Sequence, residues 1–165
     1  MPATGILPLP VLIPLVPTSM IHTYHLDSER SDIADTVGWP GLVDQVAATY
    51  DSLPPADRGH TIILASNYGE AGAVDLYGPA HGLPIAISVH MTYYPWKPPH
   101  LDASTVIVVG YSADDMRPFF ADVEPVATIT MPNGVRNEEV GQPILIARQP
   151  RVPLEQLWPH MPRLD

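Results

Sequence analysis

Three stretches of this 165-residue chain place polar and aromatic side chains at spacings that could do chemistry. The first is Ser66-Asn67-Tyr68-Gly69-Glu70-Ala71-Gly72, where an apolar run gives way to a turn and then to helical periodicity. Gly69 permits a tight turn or a positive φ, and Gly72 permits close helix–sheet packing. Free backbone N–H groups at a helix start hold anions. Glu70 occupies that same first turn, would repel phosphate, and suits either the helix dipole or the hydroxyls of a sugar. A ligand contact through Asn67, Tyr68, Gly69 and Glu70 is one reading, and a well-capped helix start is the plainer one.

The second stretch runs from His90 to His100 and gathers His90, Tyr93, Tyr94 and Trp96 beside Lys97, the chain's only lysine. Such rings stack on sugar faces or dock a partner, and a loop packed over its own sheet looks similar. His90, Tyr93 and Trp96 are its candidate ligand residues. The third stretch is Asn133-Gly134-Val135-Arg136-Asn137-Glu138-Glu139, a tight turn followed by an amide and two carboxylates. Asn137 and the two glutamates, Glu138 and Glu139, are the candidates there for a cation or for hydroxyls, against an exposed polar loop.

No catalytic constellation is complete. A G-x-S-x-G elbow, a Walker A loop, an H-E-x-x-H pair and a G-x-G-x-x-G fingerprint are all missing. His22, His25 and Asp27 sit close enough to clip a metal but lack further ligands at readable spacing. No catalytic residue, metal or cofactor is assigned. The absence of cysteine removes disulfides, thiol nucleophiles and cysteine-bound metals.

Charge narrows the partners. Eighteen acidic against eight basic side chains give a net −10. Binding nucleic acid without sequence preference needs a basic stripe, and none exists, so nucleic acid is not an expected partner. An anionic lipid surface is disfavoured for the same reason.

These stretches need elements to position them. Proline is abundant, with 21 residues, and residues 1–20 read as a proline-rich lead-in. Its apolar part, Ile6 to Val16, is broken by Pro8, Pro10 and Pro14, which an uninterrupted membrane helix of about 20 residues excludes. The first basic residue is Arg30, so no basic signal-peptide region precedes it. Residues 18–36 read as a loop. Leu42, Val43, Val46, Ala47 and Tyr50 then mark an amphipathic helix closed by Leu53-Pro54-Pro55.

Buried strands are expected over Thr61–Ala65, Pro84–Ser88, Thr105–Val109, Val126–Thr130 and Ile144–Ala147. Between them fall a helix from Glu70 to Tyr77 and a third, opened by a Ser112/Asp115 capping box, running to about Phe120 and bent or shortened by Pro118. A short helix over Pro153–His160 ends the chain. Apolar runs alternating with helices predict one α/β domain over residues 21–165. The expected form is a three-layer Rossmann-like arrangement, with a mostly parallel sheet and helices on both faces.

Several of these segments together resemble a known family: Thr36-Val37-Gly38-Trp39-Pro40, Asn67-Tyr68-Gly69-Glu70-Ala71-Gly72-Ala73, Val109-Gly110-Tyr111, Asn137-Glu138-Glu139 and Pro143-Ile144. In this order they are similar to the carboxyl-terminal soluble domain of bacterial membrane glycosyltransferases of the dolichyl-phosphate-mannose protein mannosyltransferase and aminoarabinose transferase type. The likeness spans nearly the whole chain, and its motifs are not themselves catalytic. It departs at Met91 and Lys97, where the family carries asparagine and glycine.

The resemblance implies a multi-pass parent that uses a polyprenyl-phosphate-linked sugar, with its catalytic acid in a loop this chain does not contain. The expected role is then an accessory domain on the extracytoplasmic face, positioning donor or acceptor and itself inactive. Its partners would be the membrane-embedded part of the parent, the lipid-linked sugar and the acceptor glycan. The alternative is a free-standing domain for a sugar- or nucleotide-sized ligand. A pure interaction module built on the aromatic loop is a third reading, and it requires an exposed Trp96.

Overall fold

The computed structural model describes residues 17–23, 25–29, 31–96 and 101–161. Most of the expected lead-in, and Lys97 through His100 of the aromatic loop, lie outside them. Within the stretch read as a loop, Thr18–Met20 forms a 3-10 turn, followed by two single-turn helices, α1 (Leu26–Glu29) and α2 (Ser31–Ala34). Such turns are too short to show periodicity. Ile21, Ala34, Val37 and Val135 form a small cluster of their own, which ties this segment to the later loop around residue 135.

The amphipathic helix is α3 (Trp39–Ser52), entered from Gly38 and buried through Leu42, Val43, Val46 and Ala47. It ends at the extended Leu53, as a residue before proline must. A single turn, α4 (Pro55–Arg58), leads to β1 (Thr61–Ala65). Next come α5 (Tyr68–Tyr77), β2 (Ala86–Ser88), a 3-10 segment over Met91–Trp96 and β3 (Thr105–Val109). The single-turn α6 (Ala113–Met116), then β4 (Phe120–Thr128), β5 (Pro143–Pro150) and α7 (Leu154–Leu157) complete the order.

The chain is an α/β domain built on a five-stranded mixed sheet in the order β2-β1-β3-β5-β4. Side-chain alternation splits it cleanly. The row Ala86, Ile63, Ile107 and Ile146 is in register across four strands and packs with residues of α3 and α5. The row Ile87, Leu64, Val108 and Leu145 faces the other way, against Met116, Leu154 and Trp158.

Two expectations are corrected. The sheet is parallel only among β2, β1 and β3, because β5 pairs antiparallel with both β3 and β4. No helix of more than one turn lies between β3 and β5, so the chain lacks the crossover that another parallel strand needs. The third helix also stops at Met116, and β4 begins at Phe120, where a continued helix was expected. Pro118 terminates the helix, and β4 hides its strand character because most of its side chains face solvent.

As an edge strand, β4 carries Asp122 and Glu124, each 3.5 Å from Arg148, and a register shift near Pro125. Charge and proline there discourage pairing with another chain. Among the described residues, no helix is long and apolar enough to cross a membrane.

Candidate functional site

β1 continues through α5 to β2, and the chain then crosses back over β1 to reach β3. The carboxyl ends of β1 and β3 therefore flank the point where strand order reverses, the usual place for a ligand crevice in such sheets. Ser66 leaves β1 there and Gly110 leaves β3. Because β5 runs antiparallel, its start lies at the same edge: Gly110 N donates to Pro143 O at 3.1 Å. That pairing brings the loop containing Glu138 and Glu139 to the carboxyl ends of the parallel strands.

At the centre sits Glu70, 1 % exposed. Its Oε2 accepts from Ser66 N and Ser66 Oγ, both at 2.8 Å, and from Asn67 N at 3.3 Å. Asn67 returns the bond, its Oδ1 accepting from Glu70 N at 2.9 Å, which completes a capping box at the start of α5. Burial pushes the Glu70 carboxyl up to about 6; hydrogen bonds from Ser66 and Asn67 work against this, and the charge of Glu139 adds to it. The approach is so close that only glycine fits opposite: Gly110 has φ +81°, and a Cβ there would overlap Ser66 Oγ and come within 2.5 Å of Glu70 Oε1. Gly69 is needed for proximity, since a Cβ would meet the Trp39 ring at 3.0 Å, whereas one at Gly72 would meet only Tyr93 at 3.8 Å.

Around this centre open two adjoining cavities. The outer crevice, about 640 Å³, is walled by Trp39, Tyr68, Leu76, Tyr77, His90 and Met91. Tyr68 and His90 stack with ring centroids 5.3 Å apart, and His90 Nδ1 accepts from Tyr68 N at 3.4 Å. Asp35, Glu138 and Glu139 supply carboxylates along the crevice. The inner recess, about 220 Å³, is lined by Ser66, Glu70, Gly110 and Gln142 and shares Asn67, His90, Glu138 and Glu139 with the crevice. Among the described residues, no lysine or arginine lines either cavity.

Glu139 differs from its neighbour. It is 5 % exposed, and its Oε2 has no hydrogen-bond partner among the described residues. Burial raises its carboxyl above the ordinary value, and the charges of Asp35 and Glu138 add to this, with the Asn67 side chain opposing it.

Of the residues singled out from sequence, Asn67, Tyr68, Gly69, Glu70, His90 and Glu138 come together here. Tyr93, Trp96 and Asn137 line neither cavity. The Tyr93 hydroxyl donates to Asp75 Oδ2 at 2.9 Å, while Asp75 Oδ1 accepts from Ala86 N at 2.9 Å, so this tyrosine braces α5 against β2. Burial and that hydrogen bond push it up to about 12. Trp96 leans on Tyr93 at 5.2 Å and stays 69 % exposed. Asn137 shapes its own loop, its amide donating to Val37 O and its Oδ1 accepting from Val140 N. Glu139, the second glutamate of the third stretch, lines both cavities, whereas Asp35, Trp39 and Met91 were not among the candidates.

His22 and Asp27 do meet, at 2.8 Å, and Arg136 N also donates to the Asp27 carboxylate. Burial opposes the charge on Asp27, but these hydrogen bonds hold its carboxyl below the ordinary value. The pair fastens α1 to the later loop. Among the described residues, no group of three or more His, Asp or Glu is arranged for a metal ion. Comparison with protein-family models, with curated proteins and with solved structures finds no match.

Proposed function

We propose that this chain is a non-catalytic, carbohydrate-binding accessory domain of a polyprenyl-phosphate-sugar-dependent membrane glycosyltransferase, in a three-layer Rossmann-like arrangement. The observation that carries the ligand reading is the crevice at the carboxyl ends of β1, β2 and β3, aromatic on its outer wall and acceptor-rich at its inner end. A sugar presents an apolar face for the Tyr68–His90 stack and Trp39, and hydroxyl donors for Asn67, Glu138 and Glu139. A nucleotide or a sugar phosphate fits poorly, because its anion would meet carboxylates with no lysine or arginine in the lining among the described residues. The lipid-linked phosphate is left outside, and the sugar alone enters.

Parentage by a membrane transferase rests on the sequence motifs, whose Asn67–Ala73, Gly110 and Asn137–Glu139 segments all converge on this edge of the sheet. In this reading the domain sits on the extracytoplasmic face, and the exposed Met91 and Trp96 are the surface it offers to the membrane-embedded part of the parent. Affinity for a single sugar is expected near the millimolar range, on the order of −4 kcal/mol, with tethering supplying the effective concentration.

The test is a titration of the isotope-labelled chain with mannose and glucose. Saturable shifts confined to Asn67, Tyr68, His90 and Glu139 are expected, and no transfer activity by the chain alone. Absence of shifts at hundred-millimolar sugar would remove the carbohydrate reading, and turnover would remove the accessory one.

A further inference from the structure

We infer that the outer wall of the crevice is the seat of this chain's own lead-in, the apolar, proline-rich segment Ile6–Val16, which covers it as an intramolecular strap. The inference goes beyond the carbohydrate reading and does not rest on it. Among the described residues nine large apolar side chains are exposed, and four of them, Tyr68, Leu76, Tyr77 and Met91, line this one cavity. Leu76 is 70 % and Met91 69 % exposed, and Trp39 and Ala73 complete the apolar wall. Apolar surface gathered in one place marks a binding face, whereas single scattered residues do not.

The tether of the segment and its chemistry name the occupant. Pro17 is the first described residue, and the Thr18–Met20 turn packs against the turn over Pro132–Gly134. Ile21 then joins Ala34, Val37 and Val135 in one small cluster. Two residues beyond Val37 stands Trp39, and four beyond Val135 stands Glu139, both of which line the crevice. The segment is therefore anchored beside the cavity. Of its eleven residues eight are Ile, Leu or Val and three are proline, and residues 1–16 carry no charged side chain. Proline-rich segments dock in aromatic-lined grooves because the polyproline II form leaves little entropy to lose. At about 3.1 Å per residue, eleven residues reach roughly 34 Å, the scale of a small domain. A tethered segment also acts at an effective concentration near the millimolar range, so weak contacts suffice to hold it.

The experiment uses the full chain, which has no cysteine of its own, with Leu9→Cys carrying a nitroxide. In the isotope-labelled protein, the amide signals of Tyr68, Leu76, Tyr77 and Met91 are expected to lose most of their intensity relative to the reduced label. Arg58, before the start of β1, and Val152, past the end of β5, lie at the opposite edge of the sheet and should keep theirs. Leu76→Asp, at an exposed position, should restore the crevice signals. Leu12→Asp, within the segment itself, should do the same and serves if the first variant does not fold.

Weak broadening spread evenly over the domain, or bleaching that survives both substitutions, would overturn the inference. Bleaching of an isotope-labelled chain by the nitroxide on a second, unlabelled copy would overturn it too and assign the face to a dimer. The sugar titration is read on the chain without nitroxide, so the two readings fail independently.

Discussion

Glu70 and Glu139 are two buried glutamates at the same edge of one sheet, close enough for each to bear on the other's charge. Glu70 is spent on the fold. Its carboxylate gathers Ser66 and Asn67, caps α5 and fills the gap left by Gly110. Glu139 lines the crevice and keeps one buried oxygen without a hydrogen-bond partner among the described residues. Two buried copies of the same side chain thus have opposite meanings, and the hydrogen-bond inventory separates them.

The largest effect should come from the position that makes the Glu70 arrangement possible. Gly110→Ala places a methyl group against Ser66 and Glu70 at a backbone angle that disfavours any side chain. A loss of about 3 kcal/mol is expected in urea unfolding, at the upper end for single substitutions. A loss below about 1 kcal/mol would mean that Glu70 is not held as tightly as its three accepted hydrogen bonds indicate.

Glu70 itself comes next. Glu70→Ala strands the Ser66 and Asn67 donors, for a loss of about 2 kcal/mol near neutral pH. The isosteric Glu70→Gln reads the charge. Folding raises this carboxyl from 4.5 to about 6, so it favours the protonated form. The associated stability is complete below about pH 4.5 and is lost as the pH rises through about 6. That difference corresponds to about 2 kcal/mol across the window. The wild-type chain should therefore lose stability relative to Glu70→Gln between pH 4.5 and 7, and parallel curves would show that burial of this group is not what shifts it.

Asn67→Ala removes one half of the capping box and should cost about 1 kcal/mol, with melting of α5 advanced in hydrogen exchange. Because Asn67 also faces Glu139, the same variant should weaken any ligand, which ties the two halves of the comparison together.

How far the sequence reaches is uneven, and the reason is topological. The strands Thr61–Ala65 and Thr105–Val109 were legible to the residue because both are buried on two faces and read as unbroken apolar runs. The capping boxes at Asn67 and Ser112 were legible as local patterns, the second explicitly and the first as a well-capped start. β4 was not, since an edge strand facing solvent has no apolar run to betray it. The loop around Glu139 was legible as a polar stretch leaving a strand, and it does reach the carboxyl ends of β1 and β3, because β4 runs in the direction of β3, both being antiparallel to β5; its burial was not legible, since that depends on contacts distant in the chain. Tyr93, Trp96 and Asn137 had the right chemistry, but local hydrogen bonds and ring contacts direct them elsewhere.

The smallest effect on stability should also carry the opposite sign. Glu139→Gln removes a charge that burial, Asp35 and Glu138 all oppose. A gain in stability is expected at neutral pH, shrinking as the pH falls and the raised wild-type carboxyl takes up its proton. Stability gained by deleting a group is the usual mark of a residue retained for binding, because an unmet charge is tolerated only where a ligand meets it. A loss comparable to that of Glu70→Ala would make the two glutamates alike and assign Glu139 to the scaffold. A gain would leave Glu70 holding the edge of the sheet and Glu139 apart from that task.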